Sequence, residues 1–460
     1  MCDVKKNSVH PIEVTDMNNL GYGVGRIRNM VCFLADGVPG DRGTVKIIKV
    51  AANYLVGKWE QREESSPLRL ENTCSAFPRC GGCSFCHVDY ATECRVKTDW
   101  VKSVFRKEGI RHARIHPPAG DLPITGYRNK ALIPIAPDKN GLAYAGFFAP
   151  NTHRAVPCSS CLLQPEIFSF LTAKFVEFLN ENHIPAYRED SDTGVVRHLY
   201  LRSVQDHSQV MLCAVVRDEA GFPTQKFVRF AQELSPAVVG VYLNVQPEKT
   251  NVVLGDTCRL LAGEPVLHDR LCDLDYAISP LSFYQINHSC AQRIYRTAAQ
   301  LAGLSPQDVL VDFYCGTGTI GLSMASQVKE VWGIEVVEDA VANATANAQA
   351  NGIANAHFLC ADAKDGISEL LRRGVCPTVA VIDPPRKGTT KAFIDQFCRL
   401  DIPKLIYISC NPATLARDLV YFEEKGYAFT DVHLFDMFPR TGHVESVVCL
   451  TRRLDVDMRR

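Results

Sequence analysis

No apolar run in the 460 residues reaches the ~18 needed to cross a bilayer, which excludes a membrane-spanning helix. The opening MCDVKKNSVHPIEV lacks the apolar core of a secretory leader, so a cytoplasmic chain is expected. Neither sign of charge is in excess. Fifty Lys and Arg face 51 Asp and Glu, a net charge of −1, which excludes a uniformly basic coat for nucleic acid but leaves room for a local basic stripe. Repeats and low-complexity linkers are absent as well. Cysteine is not scarce: there are 19. In a cytoplasmic chain so many thiols imply metal binding, catalysis or plain reduced cysteine rather than a disulfide framework. The length allows two to four domains, and 46% hydrophobic with 22% charged residues is ordinary globular composition.

Along the chain, residues 9–60 read as short strands punctuated by Gly21, Gly23, Gly25, Gly37, Gly40 and Gly43, the pattern of a small β-barrel. Residues 72–96 are dense in cysteine, and YATECRVKTDWVKSVFRKE (90–108) reads as a basic helix. Residues 123–270 alternate strand-like and helical stretches. From about 276 onward the order is strand, Gly turn, helix, strand, repeated, which predicts a doubly wound parallel sheet.

In VLVDFYCGTGTIGLSMA (309–325), a buried strand runs into a glycine turn and a helix. Gly316, Gly318 and Gly321 satisfy a dinucleotide-type fingerprint, and the next strand, EVWGIEVV, brings Glu335 to where a carboxylate would meet ribose hydroxyls. NAD and S-adenosylmethionine both carry ribose. Two later strands separate them. VAVIDPPRKG (379–388) ends in Asp383 followed by two prolines, and KLIYISCNP (404–412) ends in Cys410, so an acid and a thiol share the ligand-binding edge of the sheet. Nicotinamide chemistry needs no thiol there; methylation of an unreactive carbon does.

A cysteine at a strand end is usually a small buried hydrophobe. The alternative for Cys410 is addition to C6 of uracil, which makes C5 nucleophilic enough to take a methyl group. A base must then remove the C5 proton so that the thiol can leave. FPRTGHVESVV (438–448) offers Glu445 as that base and His443 as the less favoured one.

In this order, DFYCGTG, GIE, DPPR, SCNP and HVE resemble the RNA (uracil-5-)-methyltransferases, and nearly the whole chain is similar to their bacterial iron–sulfur 23S rRNA members with an N-terminal TRAM domain. The resemblance implies a multidomain fold. An OB-like β-barrel (TRAM) would occupy 1–62, a central α+β domain with an Fe–S cluster 63–275, and a C-terminal α/β Rossmann-like methyltransferase 276–460, with the helix near 88–120 free to pack on the last. It implies Cys410 as nucleophile and Glu445 as base. It also implies Gln285, Tyr314, Glu335 and Asp383 around S-adenosylmethionine, with Thr319 and Asp362 as further contacts. The expected substrate is a loop uridine of 23S rRNA and the expected state a monomer. Rivals are methylation of tRNA uridine-54, a non-catalytic Fe–S RNA-binding or sensor protein, and an NAD oxidoreductase.

Spacing alone leaves CSAFPRCGGCSFC open between a cluster, zinc and free thiols. Cys74, Cys80 and Cys83 need a fourth partner for a [4Fe–4S] cluster, for which Cys86, Cys158 and Cys161 are candidates. The resemblance selects Cys161, in CLLQ. For RNA contacts, the expectation falls on Lys97, Lys102, Arg106 and Lys107 of the basic helix and on Arg128, Asn129 and Arg197.

Overall fold

The structure is a computed structural model that describes residues 4–71 and 74–453; the outermost residues of the expected domains lie outside it. The chain forms two compact units. One comprises residues 1–100, 123–265 and 438–442, the other 101–122, 266–437 and 443–460.

The first unit opens with a closed barrel. Its strands follow the order Val9–Met17, Gly23–Ile27, Met30–Leu34, Tyr54–Glu64 and Arg42–Val50, the last pairing back with the first. The period-2 alternation places Ile12, Val14, Ile27, Leu34, Val45, Ile47 and Leu55 inside. The same unit holds a mixed sheet, seven-stranded among the described residues. Its order is Cys258–Gly263, Val238–Val245, Val210–Val216, Val196–Ser203, Lys130–Pro137, Ala143–Phe148 and Ala155–Pro157. The helices Glu166–Glu181 and Thr224–Leu234 pack on it through Phe168, Phe175, Phe178 and Phe227.

The second unit is built on a sheet with the order Ala356–Cys360, Glu330–Glu335, Val309–Phe313, Val379–Ile382, Lys404–Ser409, Glu445–Arg452, Asp431–Phe435 and Arg114–His116. The first five run parallel. VAVI is buried throughout and KLIYIS nearly so, as strands covered on both faces must be. Chain order reverses between Val309–Phe313 and Val379–Ile382, and ligands bind in the crevice at such a reversal. The short strand Arg114–His116, which follows the helix Tyr90–Lys107, adds in parallel to Asp431–Phe435.

Candidate active site

The strand Glu445–Arg452 runs antiparallel to Lys404–Ser409, and Ser409 pairs with Ser446. The next residue outward on each strand is then Cys410 and Glu445, so both stand at the ligand edge of the sheet. Asp383, immediately after the neighbouring parallel strand Val379–Ile382, stands at the same edge.

Local chemistry keeps Cys410 there. Asn411 caps the helix Pro412–Glu424 by accepting the Ala413 N–H at 3.1 Å, with Pro412 in the first turn, where its missing N–H costs nothing. The Asn411 amide donates to the Arg386 carbonyl at 3.0 Å and Arg417 donates to the Lys387 carbonyl at 3.0 Å, lacing the DPPR loop to this helix. Asp418, buried below, accepts from the Thr389 N–H at 2.8 Å and the Tyr407 hydroxyl at 2.7 Å. Gly388 closes the loop at φ +72°, where a Cβ would stand 2.6 Å from Asp418 Oδ2. Only glycine fits that turn.

The electrostatics are unusual for a sheet edge. Burial, reinforced by Asp383 and opposed by Arg386, pushes the Glu445 carboxyl up to about 8. Burial alone raises Asp383 to about 7. Burial raises Asp312 to about 7 as well, against a hydrogen bond from the Gly321 N–H and with help from Asp383 and Glu335. The Cys410 thiol is lifted to about 11 by burial and by Glu445 and Asp383, while Arg386 draws it back. Arg386 is itself exposed and lies 3.3 Å from His443 Nδ1. His443 is exposed whereas Glu445 is buried, so the two candidate bases differ sharply in environment.

The other predicted positions gather around the glycine turn. Tyr314 has φ +63°. The Glu335 carboxylate accepts from the N–H groups of Gly316 (3.1 Å), Val336 (2.8 Å) and Val337 (3.0 Å), which hold it at the crevice. Asp362 is exposed and caps its own helix through the Lys364 N–H at 3.0 Å. Gln285 and Thr319 are joined by a residue that no motif marks. The Tyr295 hydroxyl, buried on the helix His288–Ala302, bonds to Thr319 Oγ1 at 3.2 Å and to the Gln285 side chain. Arg386, which lies in DPPR but is absent from the sequence expectations, also acts on the site: its charge pulls down the pKa of both Cys410 and Glu445. The arrangement suits a cationic ligand: acids ring the crevice, Asp312 Oδ1 is buried with no hydrogen-bond partner, and a Cβ on Gly316 would meet nothing within 4 Å.

In the first unit several thiols lie close to one another. A hydrogen bond shared with Cys158 holds Cys74 down to about 5 against its burial. Cys83 bonds to Cys86 and feels Cys161 and Cys80. Cys161 in turn faces Cys80, Cys74 and the Arg128 cation. The Gly82 N–H donates to Cys80 Sγ at 3.3 Å. Among the described residues no three His, Cys, Asp or Glu converge as ligands of a single ion. Soft thiols with a backbone N–H turned to one sulfur are the kind of donor that iron–sulfur groups take.

Three expected RNA contacts are corrected. Lys97 is buried in an ion pair with Glu93 at 2.7 Å. Arg197 is buried, donates to the Gln246 and Glu248 carbonyls at 2.8 and 2.6 Å, and lies over the Tyr187 ring. Asn129 is buried, and its carbonyl accepts the Ser203 N–H. Arg106 and Lys107 are exposed. Among the described residues no helix is long and apolar enough to cross a membrane.

Residues 264–453 match the tRNA (Uracil-5-)-methyltransferase family and residues 3–59 the TRAM domain. An uncharacterised RNA methyltransferase of Lactobacillus johnsonii is 38% identical over 450 residues, 98% of this chain and 99% of that protein. Another from Enterococcus faecalis is 34% identical over 457 residues, 98% of this chain and 99% of the other. The crystal structure of Pyrococcus abyssi tRNA (uracil-54, C5)-methyltransferase with S-adenosyl-L-homocysteine superposes at a TM-score of 0.76, with 25% identity, covering 96% of this chain and 99% of that one. With a methyltransferase fold, a TRAM domain and full-length relatives of this kind, the chain belongs to the S-adenosylmethionine-dependent RNA (uracil-5-)-methyltransferases.

Proposed function

We propose that the enzyme methylates C5 of a uridine in 23S rRNA through a covalent bond between Cys410 and the pyrimidine. The observation that carries this reading is the register that brings Cys410 and Glu445 to one end of an antiparallel pair, beside Asp383. The Cys410 thiol, raised by burial and the neighbouring acids and only partly drawn back by Arg386, gives up its proton to solvent as its sulfur adds to C6, and the C5–C6 electrons move toward the C4 oxygen as an enolate. C5 then attacks the methyl group of the sulfonium, and S-adenosylhomocysteine leaves. Glu445, raised to about 8 by burial, takes the C5 proton in its ionised form; the C5–C6 double bond re-forms and the Cys410 thiolate departs. Gln285, Tyr314, Thr319, Glu335, Asp362 and Asp383 hold the methyl donor, with Glu335 toward its ribose hydroxyls. The target base must leave its stack to reach the sheet edge, which favours a loop uridine.

Cys74, Cys80, Cys83 and Cys161 would hold a [4Fe–4S] cluster, which when bound would tie residues 74–83 to Cys161 within the first unit. The chain works as a monomer in the cytoplasm, with residues 1–62 as the RNA-binding barrel, 63–275 as the central domain and 276–460 as the catalytic domain. A second reading, methylation of tRNA, is favoured by the full-length likeness to the Pyrococcus tRNA enzyme. Mass mapping of 23S rRNA and tRNA from a strain lacking the gene tests the choice. A missing 5-methyluridine in 23S rRNA supports the first reading; a loss confined to tRNA replaces it with the second. Purification without oxygen should yield iron and sulfide in equal amounts, both lost in Cys83→Ser; iron-free protein would remove the cluster.

A further inference from the structure

Alternation along the barrel strands sends every second side chain outward, and on one face the outward set joins aromatic rings to cations. Cys32, Leu34 and Leu55 fill the interior, so Val31 and Phe33 on one strand, and Tyr54 and Val56 on its parallel neighbour, point away from it. Strand register sets these residues in two rows, because directly paired residues share a face. In one row Arg26 pairs with Val31 and Val31 with Tyr54; in the other Val24 pairs with Phe33, Phe33 with Val56, and Val56 with Lys49. Lys46 and Lys58 pair beside them, and Asp16, paired with Val24, closes the second row on the other side with an acid. Phe33 and Tyr54 are diagonal neighbours across the rows, with ring centroids 5.7 Å apart and planes at 65°. Both rings are half-buried, whereas Arg26, Lys46, Lys49 and Lys58 are exposed. The Lys49 ammonium stands 5.5 Å from the Tyr54 ring centroid and donates to its hydroxyl at 3.3 Å. At the opposite end of that row Arg26 donates to the Asn29 carbonyl at 3.0 Å, across the two-residue turn in which Arg28 and Asn29 take φ of +46° and +67°.

We infer that this face of the barrel is a platform for a single-stranded segment of the RNA substrate, with one base stacked on Phe33, another on Tyr54, and Arg26, Lys46, Lys49 and Lys58 neutralising the phosphates that join and flank them. The surface matches both parts of such a strand: aromatic side chains take the faces of unstacked bases, and cations around them track the charged backbone. A duplex offers the phosphates but keeps its base faces covered, which would leave the two rings without a task. Binding of this kind tolerates sequence, because every base has a ring face. The inference deepens the reading of residues 1–62 as the RNA-binding barrel and rests on it.

The test uses the full-length enzyme and an unstructured uridine oligomer of about 12 nucleotides, within the span that one barrel of this type covers, carrying 4-thiouridine for photo-cross-linking. Cross-links should map to the peptides containing Phe33 and Tyr54. Cross-links confined to other parts of residues 1–62 would overturn the platform while leaving the barrel an RNA-binding module; none anywhere in 1–62 would remove that underlying reading as well. Affinity for the same oligomer gives the second measurement. Phe33→Ile and Tyr54→Ile keep a residue suited to a strand but lose the ring face, and each should weaken binding about tenfold, the effect of one lost stack. Tyr54→Phe keeps the ring and should bind as the wild type does, which separates loss of stacking from damage to the barrel. Lys49→Ala should lower the salt slope by about 0.7, one phosphate on a single strand. A duplex of equal length should compete poorly. Wild-type affinity in both isoleucine variants would overturn the proposal and leave a protein partner as the occupant of this face, and a duplex that competes as well as the single strand would overturn it too.

Discussion

Cys410 and Glu445 are each one step beyond the Ser409–Ser446 pair, on strands of opposite direction. A nucleophile that follows a parallel strand and a base that begins an antiparallel one arrive at the same edge only because the last long strand of the sheet is reversed. In the proposed mechanism that reversal would let the base act on the ring that the thiol attacks, and it brings Glu445 within the field of Asp383.

The cluster of raised carboxyls makes donor binding a proton-linked event. Asp312 and Asp383 stand near 7, so each is partly protonated at neutral pH. A sulfonium cation in the crevice favours their ionised forms, lowers both pKa values and expels protons. Calorimetry near pH 7 in buffers of different ionisation enthalpy should show proton release on binding S-adenosylmethionine, with affinity rising as pH increases from about 6 to 8. Proton uptake, or affinity indifferent to pH, would contradict this arrangement of charges. Resolution of the RNA adduct should also accelerate with pH through the Glu445 range near 8, because the base acts only when ionised.

Tyr295 joins Gln285 to Thr319 through one hydroxyl. Tyr295→Phe keeps the ring in its buried site and removes only that link. We expect KM for S-adenosylmethionine to rise about fivefold, equivalent to about 1 kcal/mol for a neutral hydrogen bond, with KM for RNA unchanged. Steady-state kinetics with each substrate varied in turn decide it.

Arg197 and the pair Arg106 and Lys107 should behave oppositely. Losing the Arg197 guanidinium leaves the Gln246 and Glu248 carbonyls without donors, so Arg197→Ala should destabilise the fold by about 2 kcal/mol in denaturant titrations. Neutralising Arg106 and Lys107 should leave stability alone, weaken RNA binding and reduce the salt slope by about 1 for each phosphate that is no longer neutralised.

Gly388→Ala places a methyl group against Asp418 Oδ2 in a left-handed turn. A cost of about 1–3 kcal/mol in thermal or chemical unfolding is expected, with loss of activity as the DPPR loop shifts. A fully active, equally stable variant would show that the loop tolerates the displacement.

The parts of the site legible in the sequence are those written locally. A buried strand followed by a polar or reactive residue reads the same on paper and in the fold, and DPPR, SCNP and HVE each name a strand end. Interactions that depend on distant partners are not legible. The Arg197 partners lie 49 and 51 residues further on, so nothing local marks Arg197 as a buried side chain rather than an RNA contact. Lys97 is neutralised by Glu93 one helical turn away and faces inward, although the helix as a whole looks basic. Tyr295 sits where helical periodicity predicts a core aromatic, and only its hydroxyl betrays another part to play. The division into two compact units, with residues 438–442 grouped in the first, depends on pairs hundreds of residues apart, such as Arg440 with Glu93.

The most direct test is to incubate the enzyme with S-adenosylmethionine and RNA carrying 5-fluorouridine at the mapped site, then to digest the product and locate the cross-link by mass spectrometry. Fluorine at C5 cannot leave as a proton does, so the adduct should persist on the peptide containing Cys410 and be absent from Cys410→Ala. A cross-link on another residue, or methylation by Cys410→Ala at the wild-type rate, would contradict the covalent mechanism.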